Sequence, residues 1–315
     1  MNKKLSSHFR RMSVAVCLLL AAVLTMYAGL FNSSAACFPP PFCSLQASAA
    51  DVRTLSAPEV HNTPSATNIL LIGQDQREGD VCSRADTILL CTFHPDSRKI
   101  IITSFLRDLY VPIPGYASNR LNAAYAHGGM SLLRQTLQEN FDLSIDGCVE
   151  VDFSRFAEVL DILGGVTIDL RQDEADAINK TVPGTLTEGR SLLSGNQALA
   201  YTRIRDLDKD GDFSRTHRQR KVISSLLSNY KGASLFTILS VVPDVLPMLS
   251  TDMEQKQIIS TIIQLLPMIS ESSTVSQQVP ADGMYTYRTI RGMSVLQADL
   301  EKIRTELTES LLPGN

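Results

Sequence analysis

The sequence has no tryptophan and only five histidines in 315 residues. The histidines are scattered, and none of the six cysteines belongs to a C-x-x-C pair, which argues against a zinc site. The common signatures of nucleophilic and nucleotide chemistry are also missing: no G-x-S-x-G, no P-loop, no H-E-x-x-H and no cysteine–histidine arrangement. Basic residues do not dominate either. Lys and Arg number 29 against 33 Asp and Glu, a formal net charge of −4. Nucleic-acid binding driven by overall charge is therefore not expected, which leaves only a local basic patch. No internal repeat is present.

One apolar run reaches membrane length. Met12–Phe31 holds twenty residues without a charge, and at ~1.5 Å rise per residue it spans about 30 Å of helix. Lys3, Lys4, Arg10 and Arg11 precede it, so the N-terminus is expected in the cytoplasm and the remainder outside. A cleaved signal peptide is the rival reading, with small residues at Ser33–Ala36 available for processing. The organisation expected is a cytoplasmic segment 1–11, a transmembrane anchor 12–31, a Pro-, Ala- and Ser-rich stalk 32–67 and one extracytoplasmic domain 68–315. In an oxidising exterior Cys37 could pair with Cys43, and Cys82 with Cys91 or Cys148.

Ala198–Lys221 concentrates the basic charge, with seven Arg or Lys residues. Arg203 and Arg205 alternate, which in an extended segment points both the same way. Arg215, Arg218 and Gln219 share a face if a helix opens at Asp212 in the N-cap position. Forked guanidinium groups beside unsatisfied helix N–H groups suit a multiply charged anion such as a diphosphate. Asp206, Asp208, Asp210 and Asp212 are interspersed, so a merely solvated mixed-charge face is the competing reading. D-L-D-K-D-G also opens like a calcium loop, but the closing acidic position falls on His217.

Along the chain, Asn68–Gly73, Ile88–Phe93 and Lys99–Ser104 read as strands. Each carries charge at an edge: Asp75 with Arg77, Arg84 with Asp86, and Arg107 with Asp108. Val111–Pro114 with Gly115 reads as a rigid turn. A helix over 121–140 should break at Gly128-Gly129. Cys148–Asp152, helix Phe153–Leu163 and Val166–Leu170 complete a βαβ rhythm, which predicts an α/β fold, an α-β-α sandwich on a mixed central sheet. Leu235–Leu249 and Ile258–Ile269 are apolar over most of their circumference, as core helices or the walls of a slot for a hydrocarbon chain. Val275–Val279 and Tyr285–Ile290 read as edge strands, and Ser294–Leu311 as an amphipathic helix.

Five or more arginines with two or three carboxylates and no protein nucleophile fit phosphoryl transfer, which needs charge neutralisation, a divalent metal and a positioned hydroxyl. From Asn68 to about Leu227 the chain resembles the LytR–CpsA–Psr family of cell-wall proteins. The shared stretches are G-Q-D-Q-R at 73–77, S-R-A-D-T at 83–87, F-L-R-D at 105–108 followed by V-P-I-P-G, and R-L-N-A-A-Y-A-H-G-G at 120–129. They continue with D-I-L-G-G-V at 161–166, L-L-S-G-N-Q-A-L-A-Y-T-R-I-R at 192–205 and D-F-S-R-T-H-R-Q at 212–219. The resemblance implies transfer of an anionic glycopolymer from an undecaprenyl-diphosphate carrier to peptidoglycan at the outer face of the cell membrane. It implies Mg²⁺, with Mn²⁺ as substitute, on Asp75 and Asp86. It places Arg84, Arg107, Arg203, Arg205 and Arg218 on the diphosphate, with Gln219 assisting, Arg215 close by and the prenyl tail in an apolar tunnel. Asp108 or another nearby carboxylate would accept the hydroxyl proton. A tethered polyanion-binding regulatory module and a diphosphate hydrolase are the alternatives. The chain departs from the family pattern at Leu106, where Pro is common, and at Arg220, where a second Gln is common.

Overall fold

The computed structural model describes residues 66–74, 84–205, 207–208, 211–229, 240–241, 243–254, 256–258, 260–261, 264–265 and 272–311. The expected anchor, the stalk through Ser65, Asp75 to Arg77, Cys82 and much of the two apolar C-terminal segments lie outside these residues, and Thr67, expected to end the stalk, already belongs to the first strand. Among the described residues no helix is long and apolar enough to cross a membrane.

The three expected strands form as β1 (Thr67–Gln74), β2 (Ala85–His94) and β3 (Lys99–Phe105). Instead of a simple turn at 111–115, β4 (Tyr110–Ile113) and β5 (Tyr116–Arg120) form a hairpin that reverses at Pro114-Gly115. α1 (Leu121–Phe141) is interrupted where its glycines stand. Gly129 has φ 61° and ψ −153°, a conformation with a Cβ penalty for any other residue. β6 (Gly147–Asp152) and α2 (Phe153–Ile162) follow, then β7 (Val166–Leu170), α3 (Gln172–Thr181), β8 (Gly189–Leu193), α4 (Gly195–Arg203) and α5 (Gly211–Asn229). The C-terminal part supplies β9 (Ser250–Thr251), β10 (Ser273–Val279), β11 (Tyr285–Ile290), β12 (Met293–Ala298) and α6 (Leu300–Ser310).

The central sheet runs β10-β3-β2-β1-β6-β9. It is mixed, because β10–β3 and β1–β6 are parallel while the other pairs are antiparallel. The apolar runs are buried on both faces, and successive residues enter different cores. Ile69, Leu71, Leu89, Cys91, Ile100 and Ile102 pack beneath α2, α4, α5 and the β7–β8 pair. Leu70, Ile72, Leu90, Ile101 and Cys148 pack beneath α1, α6 and the β4–β5 hairpin. This gives three layers, helices on either side of a sheet.

Some local expectations change. β7 pairs with β8, across α3, in a separate two-stranded antiparallel sheet rather than joining the central one, so α2 is not a crossover between parallel strands. The predicted helix Ser294–Leu311 begins only at Leu300. Its first part is β12, tied to β11 by Arg291-Gly292 at φ 52° and 76°, the positive-φ pair that a tight hairpin turn demands. Cys91 and Cys148 are free, buried thiols in opposite cores and bear no disulfide. Burial pushes both thiols up to about 12.

Candidate functional site

Antiparallel pairing places the end of β1, the start of β2 and the end of β3 at one end of the sheet, with Gln74 opposite Ala85 and Leu89 opposite Ser104. Asp86, Arg107 and Asp108 therefore meet there. Backbone bonds fix the segment after β3: Leu109 N–H donates to Leu106 O at 3.1 Å and Asn122 N–H to Arg107 O at 3.1 Å.

Arg107 is the hub. Its Nε and Nη2 donate to the two oxygens of Asp212 at 3.0 and 3.2 Å, and its Nη1 donates to Asp86. Asp108 lies 3.7 Å from Arg107 Nε and accepts from Arg120 at 3.2 Å. Burial opposes the charge on Arg107, but Asp212, Asp86 and Asp108 outweigh it and hold its pKa above the ordinary value. Three of its five N–H donors are thus used and two remain.

Arg215 enters the cluster from α5. Its Nη2 donates to Asp212 at 3.0 Å and to the Asp86 carbonyl at 3.3 Å, while its Nε is buried without a partner among the described residues. Arg215 is 3% exposed. Burial lowers its pKa to about 10; Asp212 offsets part of this, and the charges of Arg107 and Arg205 add to it. Arg205 is therefore near enough to act on Arg215, and Arg107, Arg205 and Arg215 share one field. One turn along α5 stands Gln219, also buried, whose Oε1 has no partner among the described residues.

Beside Gln219 an apolar cavity of about 50 Å³ opens between the sheet and α2, α4 and α5, lined by Gly73, Thr87, Phe153, Phe156, Thr202 and Ile223 among others. The Arg203 guanidinium stacks over Phe153 at 4.7 Å, at the wall of this cavity. Arg203 closes α4 and is helical, so its alternation with Arg205 is not that of a strand. Both are exposed and line a groove of about 650 Å³. Arg84 is exposed immediately before β2.

Arg218 behaves differently from its neighbours. Its Nε donates to Glu174 at 2.9 Å, its Nη1 to the Ile204 carbonyl at 3.1 Å, and its Nη2 to Asp208. Arg218 and Glu174 side chains are 3% and 6% exposed. The fork is thus committed to protein groups, and the carbonyl it holds lies between Arg203 and Arg205. Asp208 is also bound by Arg171 at 3.1 Å, which gives that aspartate a structural partner in place of a calcium ion. α5 opens at Gly211, one residue before Asp212. Asp212 is therefore inside the first turn and not the expected N-cap, and it serves as the clamp on Arg107 and Arg215. Arg120, also missed as a site residue, stands first in the R-L-N-A-A-Y stretch. Glu174 belongs to α3, whose few apolar positions among charges gave no helical signal.

Asp86 gives one carboxylate oxygen to Arg107 and keeps the other without a hydrogen-bond partner among the described residues. Such an oxygen suits a hard cation that takes one or two carboxylates and completes its shell with water and phosphate. Among the described residues no three His, Cys, Asp or Glu groups are arranged around a metal position.

Comparison with known proteins bears on the family and the fold. The chain is 36% identical over 194 residues to the polyisoprenyl-teichoic acid–peptidoglycan teichoic acid transferase TagU of Oceanobacillus iheyensis, covering 60% of this chain and 59% of that protein. To the TagU of Bacillus licheniformis it is 30% identical over 250 residues, 78% of each. The structure of YwtF (TagT) with bound octaprenyl pyrophosphate lipid superposes with a TM-score of 0.60 at 26% identity, covering 79% of this chain and 91% of that one. The LytR_cpsA_psr family matches residues 44–309. The chain belongs to that family.

Proposed function

We propose that the domain transfers an anionic glycopolymer from an undecaprenyl-diphosphate carrier to a sugar hydroxyl of peptidoglycan, leaving a phosphodiester link. The observation that carries this reading is Arg215: a buried cation, incompletely paired, one helical turn from Gln219, which lines an apolar cavity. A diphosphate bearing a prenyl chain supplies what each part lacks. Its oxygens take the remaining donors of Arg107 and Arg215, with Gln219 assisting, and the start of its prenyl chain lies against the apolar cavity between sheet and helices, which must widen to admit more of it. Arg84, Arg203 and Arg205 at the rim bind the outer phosphate and the start of the polymer. Arg218 acts through Ile204, holding that rim in place. The names of the TagU relatives and the lipid bound to TagT support this choice of substrate class.

In the reaction the acceptor hydroxyl oxygen attacks the phosphorus nearest the glycan. The bond from that phosphorus to the bridging oxygen breaks, and polyprenyl monophosphate leaves. The hydroxyl proton passes to a carboxylate of the cluster, for which Asp108 stands at the end of β3. Arg107 and Arg215 neutralise charge gathering on the equatorial and leaving oxygens. Mg²⁺, or Mn²⁺ in its place, would be held by Asp86 together with Asp75 and would lower the charge on the diphosphate. The chain would act at the outer face of the cell membrane, anchored by Met12–Phe31.

The test is transfer of a labelled, carrier-linked saccharide to peptidoglycan by the purified full chain. Arg215→Ala should lower the rate by about 10²–10³-fold, and Asp86→Ala should abolish it. Full transfer by both variants would refute the reading. Release of free phosphosaccharide with peptidoglycan present would favour hydrolysis instead.

A further inference from the structure

α5 has a second functional face. Phe213 and Ser214 each recur with His217, and His217 with Arg220, at spacings of three or four, which puts them on one side of α5 away from the Arg107 cluster. Together with β10, the turn after it and α6 they enclose a pocket of about 550 Å³, to which Ser276, Gln278, Asp282 and Glu306 also contribute. This pocket and the cluster are one residue apart in the chain: Asp212 clamps Arg107, and Phe213 forms pocket wall, stacked on Tyr285 at 4.9 Å.

Arg220 gives the pocket its chemistry. It is 6% exposed, its Nε donates to Ser276 Oγ at 2.7 Å, and its Nη1 is buried without a partner among the described residues. Among the described residues no carboxylate lies within ion-pair distance of it, and the nearby Asp282 accepts from Gln278 at 2.9 Å. Burial lowers its pKa to about 10, with Asp282 only partly offsetting, and its charge in turn helps to depress His217. A buried guanidinium using one of its five donors is costly to keep unless an anion completes it. The remaining lining is hydroxyl, amide and carboxylate groups among apolar carbons, the mixture that binds polyols.

We propose that this pocket binds a polyol bearing one oxyanion: Arg220 takes the carboxylate or phosphate, and Ser214, Gln278 and Glu306 take hydroxyl groups. That the polyol is a unit of one of the two glycans meeting at the cluster rests on the function proposed above. Two sources share the chemistry, a muramic acid residue of the acceptor with its lactyl carboxylate, and a phosphate-bearing repeat of the donor.

Binding of two probes to the detergent-solubilised full chain distinguishes them: N-acetylglucosaminyl-N-acetylmuramic acid and a short glycerol phosphate oligomer, each titrated calorimetrically. One of them should bind, and Arg220→Gln should weaken it about tenfold or more. Should that variant fail to fold, Ser214→Glu decides. It sets a competing carboxylate on the pocket wall in the first turn of α5, where a negative charge favours the helix, and it should also weaken binding. Failure of both probes to bind the wild-type chain, or unchanged affinity in the folded variants, overturns the proposal. Polymer transfer is measured separately. A wild-type chain that binds a probe through Arg220 but transfers nothing keeps the pocket and sinks the proposed reaction.

Discussion

Arg218→Met separates an arginine that binds substrate from one that holds the site together. The guanidinium and Glu174 are both almost wholly buried, and Asp208 and the Ile204 carbonyl complete the fork. Removing one member of a buried pair costs roughly 3–5 kcal/mol, since the other charge stays buried. Glu174 retains the Arg171 backbone N–H at 3.2 Å and the Arg171 guanidinium at 3.8 Å, so the lower end, about 3 kcal/mol, is expected. For a domain of this size that is a fall of roughly 6–12 °C in Tm. Glu174→Leu placed in the same chain removes the stranded charge, leaving a deficit of about 1 kcal/mol from the lost helix cap. The two changes should therefore be strongly non-additive. Thermal unfolding of the singles and the double gives the cycle, and prenyl diphosphate binding by the same proteins gives the functional arm. If Arg218→Met abolishes binding with Tm within about 2 °C of wild type, on the same scale, Arg218 is a ligand and its structural role here is wrong.

Gly195→Ala should lower stability by about 1–3 kcal/mol or more, read by denaturant unfolding, because the new Cβ would stand 1.8 Å from the Ala157 carbonyl oxygen where α4 crosses α2. Glu150→Gln should raise Tm at pH 7. Burial pushes the Glu150 carboxyl above its ordinary value, with Tyr125 partly opposing, so the folded chain binds the extra proton and stability falls as pH rises through that range. The gain should shrink as the pH is lowered through the ordinary carboxylate range, where Glu150 is protonated, and a pH-independent gain would discount the cause. Cys91 and Cys148 should resist iodoacetamide at pH 8 in the folded chain, since burial holds both thiols at about 12. Modification at the unfolded rate, counted by mass spectrometry, would contradict that.

The strands were legible because burial on both faces leaves runs such as N-I-L-L-I-G and K-I-I-I-T-S with few polar interruptions. The break in α1 was legible because two glycines state it. What could not be read was pairing at a distance. β7 looks like a sheet strand until β8 is seen to satisfy it, and Ser294–Ala298 alternates weakly enough to pass for a helix face. The site divided in the same way. Arginine spacing pointed to one place, and the common end of β1, β2 and β3 brings Asp86, Arg107 and Asp108 together there. Spacing could not tell Arg215 from Arg218, three residues apart on one helix. Their difference comes from Glu174 and Asp208, which reach Arg218 from other segments and leave Arg215 short of partners.

That shortage bears on how the cluster works. Arg107, Arg120 and Arg215 stand against Asp86, Asp108 and Asp212, three cations against three anions, so the ion-paired centre of the cluster is neutral although its sequence reads as basic and Arg205 adds charge beside it. Neutral does not mean indifferent. The carboxylates fix each fork in direction, so little side-chain freedom is lost when phosphate arrives, and the donors left over act from fixed positions. A set of free arginines would bind any polyanion, with an affinity that salt screens away. A clamped set discriminates by geometry, because only a ligand whose oxygens fall on the unused N–H groups of Arg107 and Arg215 gains from it. Asp212→Asn is the change that tells these apart. It removes the charge of the carboxylate that Arg107 and Arg215 share while nearly keeping its shape, so non-specific polyanion binding should rise while affinity for prenyl diphosphate falls about tenfold or more. Filter binding with a polyphosphate and with a short-chain prenyl diphosphate measures both, and a parallel rise in the two would mean that Asp212 merely screens the arginines.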